Sequence, residues 1–309
     1  MKILLTSTSF IDTPGIHQEK LNSKVLEIDK LRGPVKEHEL LPIIKNYDGI
    51  ICGDDEITKA VISAGVKGKL KIISKYGVGL DKIDLDAANN MGVKVKNCPG
   101  VNQVSVAEHI IALLFTYYKN IHLEHNITQE GKWIRLIGHE LYGKTVGVLG
   151  LGKIGKEVSK RLIALGLKVS AYDINFDTNF ANDMGIMNAK SINNLVNNID
   201  ILILTLPLNK HTKSIININT MLNYKKDMVI VNTSRALIID QEFLINQLSN
   251  GLLKAYLTDV LEDEPMQENH ALLNFDNVII TPHIGSRTYE SVQRQGIMAV
   301  ENLFNELKI

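Results

Sequence analysis

The sequence is short of several features that would mark out a protein at once. It has only two cysteines in 309 residues, Cys52 and Cys98. Two are too few for a disulfide framework or a metal-binding cluster, so no metal is expected and a reducing, cytoplasmic setting is. No long hydrophobic run is present. The longest apolar stretch, around Ile110–Tyr118, falls far short of the ~20 residues that a bilayer requires, so no membrane association is expected. The opening "MKILLTSTSF" has too short an apolar part for a signal peptide and reads better as a first strand. Charge of one sign is not in excess: 34 Lys+Arg face 34 Asp+Glu, which gives no support for a nucleic-acid partner. Short-period repeats and low-complexity tracts are also missing. What is there is an ordinary globular composition, 45% hydrophobic and 22% charged, at a length comfortable for two domains.

Along the chain, short apolar runs alternate with helical patterns. In the first third, residues 2–6, 49–52, 71–76 and 93–96 read as strands, and Leu85–Asn90 as a short helix. Val104–Tyr118 carries apolar residues at helical spacing, on more than one face, which suggests a homodimer contact there. Residues 119–143 show little regular pattern. From Thr145 the alternation becomes regular, with candidate strands at 145–149, 168–172, 201–204, 228–231, 255–258 and 278–280. Helical patterns fill the gaps, including Ile154–Leu165 and Gln241–Leu248. Strands joined by helical crossovers predict an α/β protein with parallel sheets, and six in succession predict a doubly wound Rossmann domain. A last amphipathic helix, Thr288–Leu307, has no strand after it and could pack back on the first domain. The expected division is therefore a discontinuous domain, 1–98 with 288–309, and a nucleotide-binding domain, 99–287. The chain ends soon after that helix, so no added regulatory domain is expected.

"TVGVLGLGKIGKEVSKRLIALGLKVSAYD" contains Gly150-x-Gly152-x-x-Gly155 between a strand and a helix, and Asp173 stands 18 positions after Gly155. That context gives the motif its weight. Gly150 would permit the tight turn, Gly152 the close approach of a pyrophosphate, and Gly155 close packing of helix on strand. Asp173, at the end of the second strand, can accept hydrogen bonds from ribose hydroxyls and would repel a 2′-phosphate. No Arg or Lys follows it in "DINFDTN", so NAD is favoured over NADP. The bland alternative is a glycine-rich turn with Asp173 as a helix cap.

Three further residues lie beyond predicted strand ends: Arg235 in "VIVNTSRALIID", Glu264 in "TDVLEDEP" and His283 in "TPHIGS". A guanidinium keeps its proton, so Arg235 between two apolar runs calls for an anion. A His can exchange a proton with a substrate hydroxyl, and a carboxylate beside it would fix its orientation. An Arg can hold a substrate carboxylate by a two-pronged contact. Each has a plain alternative: Arg235 could pair with Asp240, Glu262–Glu264 could be a solvated turn, and His283 could be a turn residue. Their occurrence after three successive strands, downstream of a dinucleotide fingerprint, favours chemistry. Together they are the parts needed to interconvert a 2-hydroxy acid and a 2-oxo acid.

At these residues the chain resembles the D-isomer-specific 2-hydroxyacid dehydrogenase family, which includes phosphoglycerate, glycerate/hydroxypyruvate and D-lactate dehydrogenases. The likeness runs from about Lys75 to Arg294. It includes "KYGVGLDKIDLDAANNMGVKVKNCPGVN", "VAEHIIAL", "LYGKTVGVLGLGKIG", "VNTSRALIID", "TDVLEDEP" and "TPHIGS". It implies a flavodoxin-like substrate domain beside the Rossmann domain, with the cleft between them. By the same resemblance, Arg235 is the substrate-binding arginine, Glu264 the partner of the catalytic histidine, and His283 the general acid/base. Lys153 and Ile154 fall where the glycine loop meets pyrophosphate, with Lys153 standing where Arg is common. Thr233, Ser234, Arg235, Asp259, His283 and Gly285 fall near the nicotinamide, Asp259 being suited to accept from its carboxamide. Gly77 and Val78 match the loop whose N–H groups hold the substrate carboxylate.

The departures matter as well. Cys98 lies where Thr is frequent, and a buried free thiol is the role expected of it. "GDDEIT", residues 53–58, is acidic where members acting on phosphorylated substrates often supply an arginine. Lys75 and Arg135 are candidate compensating cations, which keeps phosphoglycerate beside hydroxypyruvate and glycerate as expected substrates. His109 reads as a structural residue near a helix start, and His122, His125, His139 and His270 show no arrangement. The rival readings are a family member acting on phosphite or formate, and a non-catalytic NAD(H) sensor on the same fold.

Overall fold

The alternation of apolar runs and helical patterns folds into two wholly parallel sheets. The computed structural model describes residues 1–309, which divide into two units: Met1–Asn102 with Ser286–Ile309, and Gln103–Gly285. In chain order the first unit supplies β1 (Lys2–Leu5), α1 (Thr8–Asp12), α2 (Ile16–Asn22), β2 (Glu27–Lys30), α3 (Glu37–Leu40), β3 (Gly49–Cys52), α4 (Lys59–Val66), β4 (Ile72–Lys75), α5 (Leu85–Asn90) and β5 (Lys94–Lys96). The second unit opens with α6 (Gln103–Tyr118) and α7 (Ile121–Gln129). It continues through β6 (Thr145–Leu149), α8 (Lys153–Ala164), β7 (Lys168–Tyr172), α9 (Thr178–Met184), β8 (Met187–Asn188), α10 (Ile192–Val196), β9 (Ile201–Leu204), β10 (Met228–Asn232), α11 (Gln241–Ser249), β11 (Leu253–Thr258) and β12 (Val278–Ile280). The chain then returns to the first unit with α12 (Tyr289–Leu307).

The first sheet has the order β2-β1-β3-β4-β5, the flavodoxin-like arrangement. The second runs β12-β11-β10-β9-β6-β7-β8, a doubly wound sheet whose order reverses between β6 and β9. The strands read as continuous apolar runs because both faces are covered. In β9, Ile201 and Ile203 enter the core that holds α6 and α8, while Leu202 and Leu204 enter the opposite core with Phe243 and Leu244 of α11. In β3, Ile50 and Cys52 face one core and Ile51 the other. Thr288 caps α12, which lays Val292, Ala299, Val300, Leu303, Phe304 and Leu307 on the Ile51 side of the first sheet. Ser74 of β4 donates to the Ala299 carbonyl at 2.7 Å, tying that helix to the sheet.

Three features escape the hydropathy pattern. Strand β2, "EIDK", pairs only with β1 at the sheet edge and buries no residue fully, so it carries no apolar run. Strand β8 is only two residues long, and both are exposed. Helix α7 lies in the stretch read as irregular, and it too has no buried residue, so no apolar stripe announces it. The expectation of a dimer contact on Val104–Tyr118 also loses its basis. Val106, Ala107, Ile110, Leu113, Leu114 and Tyr118 are buried in the unit's own core, with Ile111 and Phe115 packed against it. No helix is long and apolar enough to cross a membrane.

Candidate active site

The glycine loop follows β6, and each of its glycines answers to a different constraint. Gly150 has φ +100°, a left-handed value that strains any residue with a Cβ. A Cβ on Gly155 would stand 2.0 Å from the Gly150 carbonyl oxygen, so the first turn of α8 could not close on the strand. Gly152 is under neither constraint. Its φ is −73° and nothing in the protein lies within 4 Å of the Cβ it lacks. The chain alone has no need of glycine there, whereas a ligand lying against the backbone at the start of α8 does. Open N–H groups at a helix start suit a pyrophosphate, so the loop fits a dinucleotide. Lys153 is exposed on the first turn, while Ile154 is half-buried against the core.

Asp173, one residue past β7, turns back onto this loop. Its carboxylate accepts from Leu151 N at 2.7 Å and from Asn175 N at 2.8 Å. It therefore sits against the glycine turn and caps no helix. Lys156 of α8 is also engaged: it pairs with Asp177.

Neighbouring strands β10, β11 and β12 deliver the other candidates side by side, since Asn232, Thr258 and Ile280 are in register. After β10 the loop 233–235 is shaped by Asn232, which is fully buried. Its side chain accepts from Ser234 N at 3.0 Å and donates to the Arg235 carbonyl at 3.0 Å and to Tyr256 Oη at 3.2 Å. Ser234 Oγ donates to the Leu204 carbonyl of β9. The loop is thus built before Arg235 is placed. The guanidinium donates to the Ser234 carbonyl at 2.8 Å. Asp240, offered by the sequence as a partner for Arg235, instead caps α11 by accepting from Phe243 N. The Thr233 hydroxyl oxygen is buried with no hydrogen-bond partner. An orphan of that kind is costly unless a ligand meets it.

The acidic turn after β11 separates into distinct roles. Glu262 Oε2 lies 3.3 Å from His270 Nε2, an arrangement the sequence did not reveal. Glu264 takes His283: Oε2 to Nδ1 is 2.7 Å, and Oε1 accepts from Leu261 N at 3.0 Å. Both side chains are about one-third exposed. A carboxylate only accepts, so Nδ1 carries the proton, and exchange with a substrate falls to Nε2. His283 itself has φ +53°, which is uncommon for a residue with a side chain.

Asp259 is buried behind that histidine. It accepts from Thr281 Oγ1 at 2.6 Å, Ile284 N at 2.8 Å and Gly285 N at 2.7 Å. Burial would raise its pKa. His109, Thr281 and the two N–H groups outweigh burial and hold it below the ordinary carboxylate range. A Cβ on Gly285 would meet Asp259 Oδ2 at 2.9 Å, which accounts for a glycine there.

In the first unit, Gly77 has φ +130° and its carbonyl accepts from Cys98 N at 2.8 Å. Across a trans peptide, the Val78 N–H points the opposite way from that carbonyl. The Val78 carbonyl is held by the Asn97 side chain. Lys75 is buried, and its ammonium donates to the Gly53 carbonyl at 2.5 Å and to Asp54 at 2.7 Å. Its charge is therefore matched by Asp54 within the unit. Arg135 is exposed. Cys98 is a buried free thiol, and burial pushes its pKa up to about 11.

Comparison with known proteins matches the chain to one family. The model described as "D-isomer specific 2-hydroxyacid dehydrogenase, NAD binding domain" matches residues 111–285. A D-3-phosphoglycerate dehydrogenase of Methanocaldococcus jannaschii is 36% identical over 301 residues, covering 96% of this chain but 57% of its own length. The chain thus spans little more than half of that relative. A hydroxypyruvate reductase of Thermotoga maritima is 37% identical over 294 residues, covering 94% of each chain. Among solved structures, a cofactor (NAD+)-bound 3-phosphoglycerate dehydrogenase of Entamoeba histolytica superposes with a TM-score of 0.82 at 29% identity, covering all of this chain and 95% of its own.

Proposed function

This chain belongs to the D-isomer-specific 2-hydroxyacid dehydrogenase family, and from that premise we propose that it interconverts a small, unphosphorylated 2-oxo acid and its D-2-hydroxy acid with NAD. The observation that carries the reading is the Glu264–His283 pair at 2.7 Å, beside the Arg235 loop on the neighbouring strand. The cofactor, when bound, supplies the hydride chemistry at C2. Gly150, Gly152, Gly155, Lys153 and Asp173 would hold it, with Thr233 and Asp259 toward the nicotinamide.

In the reducing direction, protonated His283 gives its Nε2 proton to the carbonyl oxygen as it becomes a hydroxyl. In oxidation the neutral ring takes that proton back. Glu264 keeps Nδ1 protonated throughout and stabilises the imidazolium that forms. Arg235 binds the substrate carboxylate and polarises the C2–O bond. The preference for an unphosphorylated acid rests on the loop after β3. Asp54, Asp55 and Glu56 lie there, and Lys75, the buried cation beside them, is already paired with Asp54. Glu56 is in turn paired with Lys36, so the cations beside that loop are already matched and offer a phosphoryl group no free partner charge.

The test is a panel of 2-oxo acids with NADH: hydroxypyruvate, glyoxylate, pyruvate and 3-phosphohydroxypyruvate. Turnover of hydroxypyruvate or glyoxylate is expected to exceed that of the phosphorylated acid. Preference for 3-phosphohydroxypyruvate would overturn the substrate assignment, and NADH binding with no turnover of any would favour a sensor.

A homodimer in the cytoplasm completes the proposal. Residues 121–142 expose Ile121, Trp133, Ile134, Ile137 and Tyr142, with Trp133 at 80% and Ile137 at 93%. An apolar strip of this kind suits a second copy of the chain. Trp133→Glu with Ile137→Glu should give a monomer by light scattering, and an unchanged mass for the double variant would refute this surface. Two buried cysteines that form no disulfide suit a reducing compartment.

A further inference from the structure

We infer that His109 is a positioning residue for the reaction, which it serves through Thr281 and Asp259 by fixing the backbone that carries His283. This rests on the reading of His283 as the proton-transfer group.

His109 lies on α6, flanked by Ala107 and Ile110, both fully buried in the core. Its ring is thus mounted on a helix packed into the core. Its Nε2 is 2.9 Å from Thr281 Oγ1 and 3.4 Å from Asp259 Oδ1. The direction of these bonds follows from counting protons. The Thr281 hydroxyl stands 2.6 Å from Asp259 Oδ1, which only accepts, so its single proton goes there. Thr281 Oγ1 must then accept from His109, whose proton is therefore on Nε2. The resulting relay runs from His109 Nε2–H to Thr281 Oγ1, and from Thr281 O–H to Asp259.

Asp259 applies this restraint where it counts. Its two oxygens hold Ile284 N and Gly285 N, the two N–H groups directly after His283. On the other side, His283 N donates to the Thr281 carbonyl at 3.0 Å. The left-handed backbone of His283 is thus clamped at both ends by groups that answer to His109. The His109 ring also lies against Gly285, 3.5 Å from where a Cβ would stand. Glu264 orients the His283 ring, while His109, Thr281 and Asp259 orient its backbone. Such strained conformations persist only where surrounding contacts over-determine them.

The test compares His109→Ala, His109→Gln and His109→Glu at saturating NADH, with thermal melting beside kcat and KM. His109→Ala should lower kcat by about 10- to 100-fold, the effect of a misplaced catalytic group, with a much smaller change in KM. His109→Gln keeps an N–H donor and should recover most of kcat. His109→Glu sets a carboxylate against Asp259 and should fall below His109→Ala. If His109→Ala does not fold, Thr281→Ser against Thr281→Val reads the same relay, with Ser active and Val impaired. Retention of kcat in His109→Ala, or failure of Gln to rescue it, would overturn the inference. So would a loss of kcat that merely follows the melting temperature. His283→Ala separates the two levels. Its loss of turnover beside an unimpaired His109→Ala would refute the positioning role alone, whereas full activity in His283→Ala would refute the underlying assignment.

Discussion

Replacing Gly152 and Gly155 in turn by alanine should separate what the protein needs from what its cofactor needs. At Gly155 the new Cβ would lie 2.0 Å from Gly150 O and 3.1 Å from its carbonyl carbon. Backbone cannot yield there as a flexible side chain would, so the helix must move off the strand. Overpacking of this kind costs about 1–3 kcal/mol or more. At Gly152 the Cβ meets nothing, and φ is −73°, a value alanine adopts without strain. Removing glycine at a compatible position gains about 0.4–1 kcal/mol through the unfolded chain. Alanine is a much poorer N-cap than glycine, so at the start of α8 the change takes back about 0.5–1 kcal/mol. Gly152→Ala should therefore melt within a few degrees of wild type, and Gly155→Ala well below it. NADH affinity should show the reverse emphasis. The Gly152→Ala methyl stands in the space a pyrophosphate would use, so the dissociation constant should rise at least about tenfold, which is 1.4 kcal/mol. The assays are calorimetric melting and titration of NADH fluorescence. Wild-type NADH affinity in Gly152→Ala, or destabilisation of that variant as large as in Gly155→Ala, would refute this separation.

Two further outcomes follow from the charges. Asp173→Ala removes the carboxylate that anchors Leu151 N and that a 2′-phosphate would face; the ratio of kcat/KM for NADH over NADPH should fall about tenfold or more, and an unchanged ratio would contradict the cofactor assignment. Asp259 and Asp200 are both held below their ordinary carboxylate pKa despite burial, Asp259 by His109 and Thr281, Asp200 by Lys225 and Thr145. Because their folded values lie below the unfolded ones, the stability they confer is complete above the unfolded pKa of about 3.9 and is lost as pH falls through the folded values. Asp55, raised by burial, acts in the opposite sense, so the clean comparison is Asp200→Asn against wild type. Denaturant unfolding should show a shallower decline below about pH 4 in the variant, and identical slopes would refute the linkage.

The second unit was largely readable from the sequence because a parallel sheet covered on both faces leaves long apolar runs. Its glycine motif was readable because the constraints on Gly150 and Gly155 are local. Glu264 and His283, 19 positions apart, could be paired because each follows a strand of the same sheet, and the resemblance marked which acid of the turn was meant. What escaped was held by distant or solvent-facing features. His109 and Thr281 are 172 positions apart, and nothing in either local pattern points to the other. The Lys75–Asp54 pair also joins the end of β4 to the loop after β3, so Lys75 looked available in the sequence and proves matched in the fold. Asn232 was visible only as a polar residue ending an apolar run. Strand β2 and helix α7 bury no residue, so neither leaves a periodic apolar signal.

The central claim is that Nε2 of His283 moves the proton while Glu264 holds Nδ1. The most direct measurement is kcat for hydroxypyruvate or glyoxylate reduction by wild type and His283→Ala, with NADH binding followed in both. Loss of a general acid predicts a fall in kcat of about 10²- to 10⁴-fold, with the NADH dissociation constant little changed. Turnover by His283→Ala near the wild-type rate would contradict it.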